Sequence, residues 1–223
     1  MAAPLKPYPF PPGMAIPRLM PFQEYPWNND PHIAAEVLRL KEAHGLTKAL
    51  ETGTCLGSTA LWLAENFDKV WTCEIHEPTY EIACARFAAL NGIHAVSDAT
   101  DRFYTNIIAR RRDSKRAAWN DAGRVDFIFL DAHWGQHCPL LDELEAITNP
   151  EDHGPRKLPC ILIHDFQVPG TDFGFDSMPD GRPFNLELIT PALEKIYGIM
   201  AYKINYPTQV AGAKRGWISI EPC

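Results

Sequence analysis

"ALETGTCLGSTALWLAENFDKVWTCEI", residues 49–75, decides the architecture. An apolar run ends in Glu51-Thr52, and a turn with Gly53 and Gly57 follows. "STALWLAENF" then reads as a helix, and "KVWTCEI" is a second strand that closes on Glu74 and Ile75. Strand, glycine turn, helix and strand make a βαβ unit, whose strands lie parallel.

The same rhythm extends outward. Upstream, Asp30 is a plausible N-cap, Pro31 the first helical residue and Gly45 the stop; Ile33, Val37, Leu40 and His44 share one face. Downstream, "EPTYEIACARFAALNG" reads as a helix with Tyr80, Ala83, Phe87 and Leu90 on one side, and "IHAVS" as a short strand. Residues 100–118 read as helical. "RVDFIFLDA" is apolar on both faces, as a central parallel strand is. "PLLDELEAI" is a helix, "PCILIHDF" a buried strand, and "NLELITPALEKIYG" a helix kinked or restarted at Pro191. "MAYKINYP" and "RGWISIEP" are too close for a helical crossover, so they form an antiparallel hairpin. The pattern predicts an α/β domain with a mostly parallel, seven-stranded sheet and helices on both faces. Residues 30–223 form that single domain, and 1–29 a proline- and aromatic-rich arm whose Tyr8, Phe10, Phe22, Tyr25 and Trp27 pack on the domain, a ligand or a second subunit.

Of 223 residues, 46% are hydrophobic, enough for a sizeable core, and the formal charge of −7 gives no basic face for nucleic acid. The one basic run, Arg110–Arg116, reads as a solvated helix end or loop. Six cysteines without C-x-x-C spacing suggest reduced thiols. Prolines interrupt the N-terminal apolar residues, so neither a signal peptide nor a membrane span is expected, and the default is a cytoplasmic protein.

The glycine turn lies where open α/β sheets bind ligands. Its spacing is G-x-x-x-G, not the dinucleotide G-x-G-x-x-G, and Glu51 would repel a pyrophosphate. A carboxylate there suits a cationic ligand, and Glu74 stands where an acid accepts ribose hydroxyls. The turn fits a nucleoside without phosphates and with a positive charge nearby.

On "ETGTCLG", the acid in "CEI" and the acid in "SDAT", residues 31–221 resemble the class I S-adenosylmethionine-dependent methyltransferases, whose Rossmann-like fold also ends in a hairpin. The resemblance implies S-adenosylmethionine (SAM) held by Glu51, Gly53, Thr54, Gly57, Ser58, Glu74, Ile75, Asp98 and Asp131. "FLDAHWGQH" and "ILIHDF" bring Asp131, His133, His137, His164 and Asp165 to the same edge, which resembles the metal-dependent small-molecule O-methyltransferases, closest in wording to the macrocin-methyltransferase and cephalosporin-hydroxylase branch. That implies a divalent ion on Asp131, His164 and Asp165: magnesium or manganese, or iron(II) if His164 is a ligand, since His164 falls where such families usually have Asp.

The expected activity is methyl transfer to a hydroxyl of a small molecule, a sugar or natural product. Asp131 is placed in the catalytic group, and His133, then His137, is the candidate base. The 168–184 loop, with Asp172, Asp176, Asp180 and Arg182, is a candidate lid. The expected partner is the small-molecule substrate, with no nucleic acid or membrane, and a homo-oligomer through the arm is open. Three alternatives remain: metal-free transfer to nitrogen or carbon on the same fold, a metal-dependent hydrolase or oxygenase using Asp131, His133, His164 and Asp165 without SAM, and a non-catalytic binding protein.

Overall fold

The computed structural model describes residues 2–14, 23–91, 93–96, 101–133, 138–148 and 157–223. Helix α1 is Pro31–His44, capped by the Asp30 carboxylate and stopped at Gly45 in the left-handed region. β1 (Lys48–Thr52), α2 (Ser58–Asn66) and β2 (Lys69–Glu74) form the unit read from residues 49–75. α3 is Glu77–Asn91, β3 Ile93–Val96, β4 Asp101–Tyr104, β5 Ile107–Arg111 and α4 Ser114–Asp121. β6 (Phe127–Leu130), α5 (Leu140–Thr148), β7 (Cys160–His164), α6 (Leu186–Tyr197), β8 (Tyr202–Asn205) and β9 (Trp217–Pro222) complete the order.

All nine of these strands join one sheet, in the order β3-β4-β5-β2-β1-β6-β7-β9-β8. β5, β2, β1, β6 and β7 run parallel. β9 pairs antiparallel with both β7 and β8, which is the hairpin expected from the short spacing. The chain winds from β1 to β2 and β5 on one side and to β6 and β7 on the other. The carboxyl ends of β1 and β6 therefore flank the switch point, where a crevice opens.

Strand alternation sorts the core into two layers. Ala49, Phe127, Phe129 and Leu162 face one cluster with Ile33, Val37 and Leu40 of α1 and Tyr80, Ala83 and Phe87 of α3. Leu50, Ile128, Leu130, Ile161 and Ile163 face the other, with Leu144 of α5 and Ile189 and Leu193 of α6. At roughly 1.5–3 kcal/mol for each fully buried large apolar side chain, these two layers supply the main drive to fold.

The expected helix over 100–118 is corrected. Residues 101–111 form β4 and β5, and the helix begins only at Ser114. Phe103, Tyr104, Ile107 and Ile108 are aromatic or β-branched and suit a pleated surface, and "TN" turns the chain between them. The sheet has nine strands instead of seven for this reason: "IHAV" starts an antiparallel meander, and β5 takes the parallel place beside β2. The basic run is corrected as well. Arg110 pairs with Asp101 and Asp121, Arg111 with Glu77 and Arg112 with Asp101, so these guanidiniums are neutralised at the strand end. Leu90 is exposed, not packed with Phe87, and α6 runs through Pro191 as one helix.

The described part of the arm packs on its own subunit. Trp27 is 2% exposed and meets Trp62 and Phe129 edge-on, with centroids 5.2 and 4.7 Å away. Arg86, fully buried, donates to the Tyr8 and Leu56 carbonyls and, at 3.0 Å, to Ser58 Oγ, and stacks on Phe10. One guanidinium thus ties the arm to the glycine turn. Trp27, Asn28 and Asn29 all have positive φ (56°, 50° and 62°), a left-handed turn that costs on the order of 1–2 kcal/mol per residue. All six cysteines are free thiols, and no helix among the described residues is long and apolar enough to cross a membrane.

Candidate functional site

A cavity of about 570 Å³ opens at the switch point. Glu51, Gly53, Thr54, Gly57, Ser58, Asp131, His133 and Asp165 line it, so most of the residues singled out in the sequence converge. Its size suits a ligand of nucleoside-plus-amino-acid bulk.

The glycines serve the protein's own packing. Gly53 has φ 81°, and a Cβ there would stand 2.4 Å from the Asp131 carbonyl oxygen. Gly57 has φ 83°, and its Cβ would meet the Phe87 ring at 2.7 Å. The turn is pressed against the end of β6 on one side and α3 on the other. Its cavity-facing backbone is left bare by that geometry.

Glu51 is buried and accepts a hydrogen bond from Thr72 Oγ1 at 2.6 Å; Thr72 in turn lies 2.5 Å from Thr54 Oγ1. Burial pushes the Glu51 carboxyl well above its ordinary range, the Thr72 hydroxyl offsets part of this, and the Asp131 and Glu74 charges add to it. Glu74 does not line the cavity. It spans the ends of β1 and β2, its carboxylate accepting the Cys55 N–H at 3.0 Å and the His76 N–H at 2.9 Å. Ile75 beside it is 57% exposed. Asp98 and His137 lie outside the described residues.

The ends of β6 and β7 carry the second group. His133 Nε2 is 3.2 Å from Asp165 Oδ2 and 3.7 Å from Asp131 Oδ1. Asp131, His133 and Asp165 each offer one ligand atom, and these atoms lie within 4.8 Å of one another. His164 stands behind them, 2% exposed, with Nδ1 3.1 Å from Asp131 Oδ1. Desolvation opposes the charged form of His164, but the Asp165 and Asp131 carboxylates outweigh it and hold the imidazole well above its usual range. His133 is raised in the same way: burial opposes, and the bond to Asp165 and the Asp131 charge prevail. Asp165 is the mirror case. Burial would raise it, and the two imidazoles hold it far below the usual carboxylate range.

Several site residues escaped sequence reading. Gln23 and Asn28 of the arm line the cavity, as do Ala213 and Arg215, beside Tyr25 from the arm's aromatic set. Of the four loop residues singled out, Asp176 lines it, whereas Asp180 pairs with Arg182 at the surface. Arg215 donates to both Asp165 and Asp176. A signal for it existed in the hairpin: β9 pairs with β7 so that Trp217 opposes His164, which sets Arg215 beside Asp165.

No protein-family model matches the sequence, and no curated protein matches it significantly. Solved structures do match. An O-methyltransferase from Bacillus cereus in complex with SAH superposes with a TM-score of 0.57 at 18% identity, over 85% of this chain and 80% of that one. The O-methyltransferase TomG from Streptomyces achromogenes, involved in tomaymycin synthesis and solved with SAM, gives 0.53 at 14%, over 85% and 79%. At such identities the likeness is one of fold, and the fold is that of the class I SAM-dependent methyltransferases.

Proposed function

We propose that this chain is a SAM-dependent methyltransferase acting on a hydroxyl of a small molecule, assisted by a divalent ion. One observation carries the reading: a single cavity at the switch point joins the Glu51–Ser58 turn to the Asp131, His133 and Asp165 cluster. The turn fits a sulfonium nucleoside. Among the described residues Glu51 is a buried carboxyl without a cationic partner, so a ligand ammonium or sulfonium there would favour its ionised form. Glu74 and Ile75 stand beside the β2 end of the turn, where a ribose and base would extend. SAM supplies the methyl group as an electrophile when bound.

The donor set of two carboxylates and an imidazole suits manganese or iron(II) as well as magnesium. Asp131, His133 and Asp165 would hold the ion, which lowers the pKa of an acceptor hydroxyl when bound. His164, with its Nδ1 on Asp131, orients that carboxylate. Without an ion, His133 Nε2 is the base in the cavity, and the Asp165 and Asp131 carboxylates beside it would stabilise the imidazolium formed when it takes the hydroxyl proton. Metal dependence therefore decides between the two jobs of His133. The arm and Asp176 wall the acceptor side, which suits a small polar molecule.

The test is calorimetric titration of chelator-treated protein with SAM, then with magnesium, manganese and iron(II). Micromolar SAM binding is expected, with a further heat on metal addition that Asp165→Ala abolishes. No SAM binding under any condition sinks the reading and returns the bet to a metal-only hydrolase or oxygenase.

A further inference from the structure

We propose that Arg215 is a positioning residue: it fixes which oxygen of Asp165 faces the cluster and latches the segment after β7 across the cavity. The proposal rests on the functional reading above for its metal readout only. Arg215 Nε donates to Asp165 Oδ1, and Nη2 donates to Asp176 Oδ1. Asp165 Oδ2 is thereby left for His133, 3.2 Å away. The two oxygens of one carboxylate have separate partners, and the guanidinium sets the division.

The backbone is built around this fork. Asp165 sits in the left-handed region (φ 55°), which turns the chain sharply at the end of β7. The Asp176 N–H then returns to the Asp165 carbonyl at 2.8 Å. Gly174 donates to the Lys214 carbonyl at 3.0 Å and accepts from the Gly216 N–H at 2.8 Å. A Cβ on Gly174 would come within 3.0 Å of Arg215 Cδ and 3.1 Å of Nη1, so the missing side chain seats the arginine. A planar fork can serve two carboxylates in two directions at once, and a lysine ammonium on a flexible stem cannot hold both in register.

The experiment uses the full chain with Arg215→Ala, Arg215→Lys and Asp176→Ala. Amide hydrogen exchange is read at Gly174, Asp176 and Phe184, and bound manganese from its electron paramagnetic resonance spectrum. In Arg215→Ala, exchange at the three amides is expected to rise at least about tenfold while β1 and β6 amides hold, because opening is confined to the latched segment. Manganese affinity is expected to fall about 10–100-fold, as when a partner that orients a ligand is lost. Arg215→Lys should lie between. Unchanged exchange at those amides overturns the latch, and manganese affinity equal to or tighter than wild type overturns the orienting role. If the wild type takes up no manganese, the metal reading falls and takes the orienting role with it, and exchange alone decides the latch. If Arg215→Ala fails to fold, Asp176→Ala cuts only the loop side, and protected amides in that variant overturn the latch.

Discussion

The turn after β1 and the turn after β7 face the same cavity, and each carries a carboxylate at or within two residues of a left-handed backbone position. They are held in opposite ways. Glu51 has a hydroxyl for a partner, and burial drives it toward the neutral form. Asp165 has two imidazoles and a guanidinium, and it is driven toward the charged form despite burial. The first turn is fixed by steric contact through its glycines, the second by charge. Among the described residues, one site thus keeps a carboxyl that lacks a cation next to one that is already compensated, and under the proposed function the first is where a cationic ligand would sit.

The largest test of this contrast is Gly53→Ala. Its Cβ meets backbone, which cannot rotate away, so a loss of about 3 kcal/mol or more is expected in chemical denaturation. Gly45→Ala, also at positive φ but in open space, should lose only about 1 kcal/mol. Equal losses would show that contact does not hold the first turn. Next comes Asp165→Asn, which leaves two buried imidazoles short of a counter-charge and should lose about 3 kcal/mol at neutral pH. A depressed carboxyl stabilises fully above its unfolded pKa of about 3.9, and that contribution is lost as pH falls, so variant and wild type should converge in acid. A gap independent of pH would mean that charge is not what holds the second turn.

Glu51→Gln should act in the opposite sense. A raised carboxyl costs stability as pH climbs above its unfolded pKa, so the ligand-free variant should be more stable than wild type at pH 7, and the gap should close as pH falls below that pKa. Under the proposed function the same variant should bind SAM at least about tenfold more weakly, since it cannot offer a charge to the ligand. Stabilisation without loss of affinity would leave Glu51 as core. The smallest effect belongs to Asp180→Asn, whose ion pair among the described residues is with the surface Arg182, and which should leave thermal stability and SAM affinity as they are.

Much of this contrast was legible from residues. The βαβ unit, the glycine turn and the acids at strand ends are local signals, because apolar periodicity and turn chemistry act over a few residues. "RVDFIFLDA" and "PCILIHDF" announced central strands because both faces are apolar. The β4–β5 meander is hard to read because "DRFYTNIIARRRD" mixes strand formers with arginines whose acids meet them only once the strands pair: Asp101 from the far end of the same stretch, and Glu77, Glu81 and Asp121 from outside it. Arg215, Asn28 and Tyr25 reach the cavity only through strand order and docking of the arm, which no local window contains. The glycines mark the turn in the sequence, but that their missing side chains make room for Asp131 and Phe87 shows only in three dimensions.

β9 lies between β7 and β8 in the sheet but follows both in the chain. A ribosome that has released the chain only through β8 therefore holds a protein whose β7 edge is still bare, and β8 has no neighbour to pair with. The same late segment seats the arm, because Gly212 packs against the Asn28 and Asn29 backbone and Arg215 precedes β9. Synthesis delivers the glycine turn early and the latch late. The wall of the cavity that carries Glu51 to Ser58 is thus made long before the wall that carries Arg215, which needs β9 in the sheet.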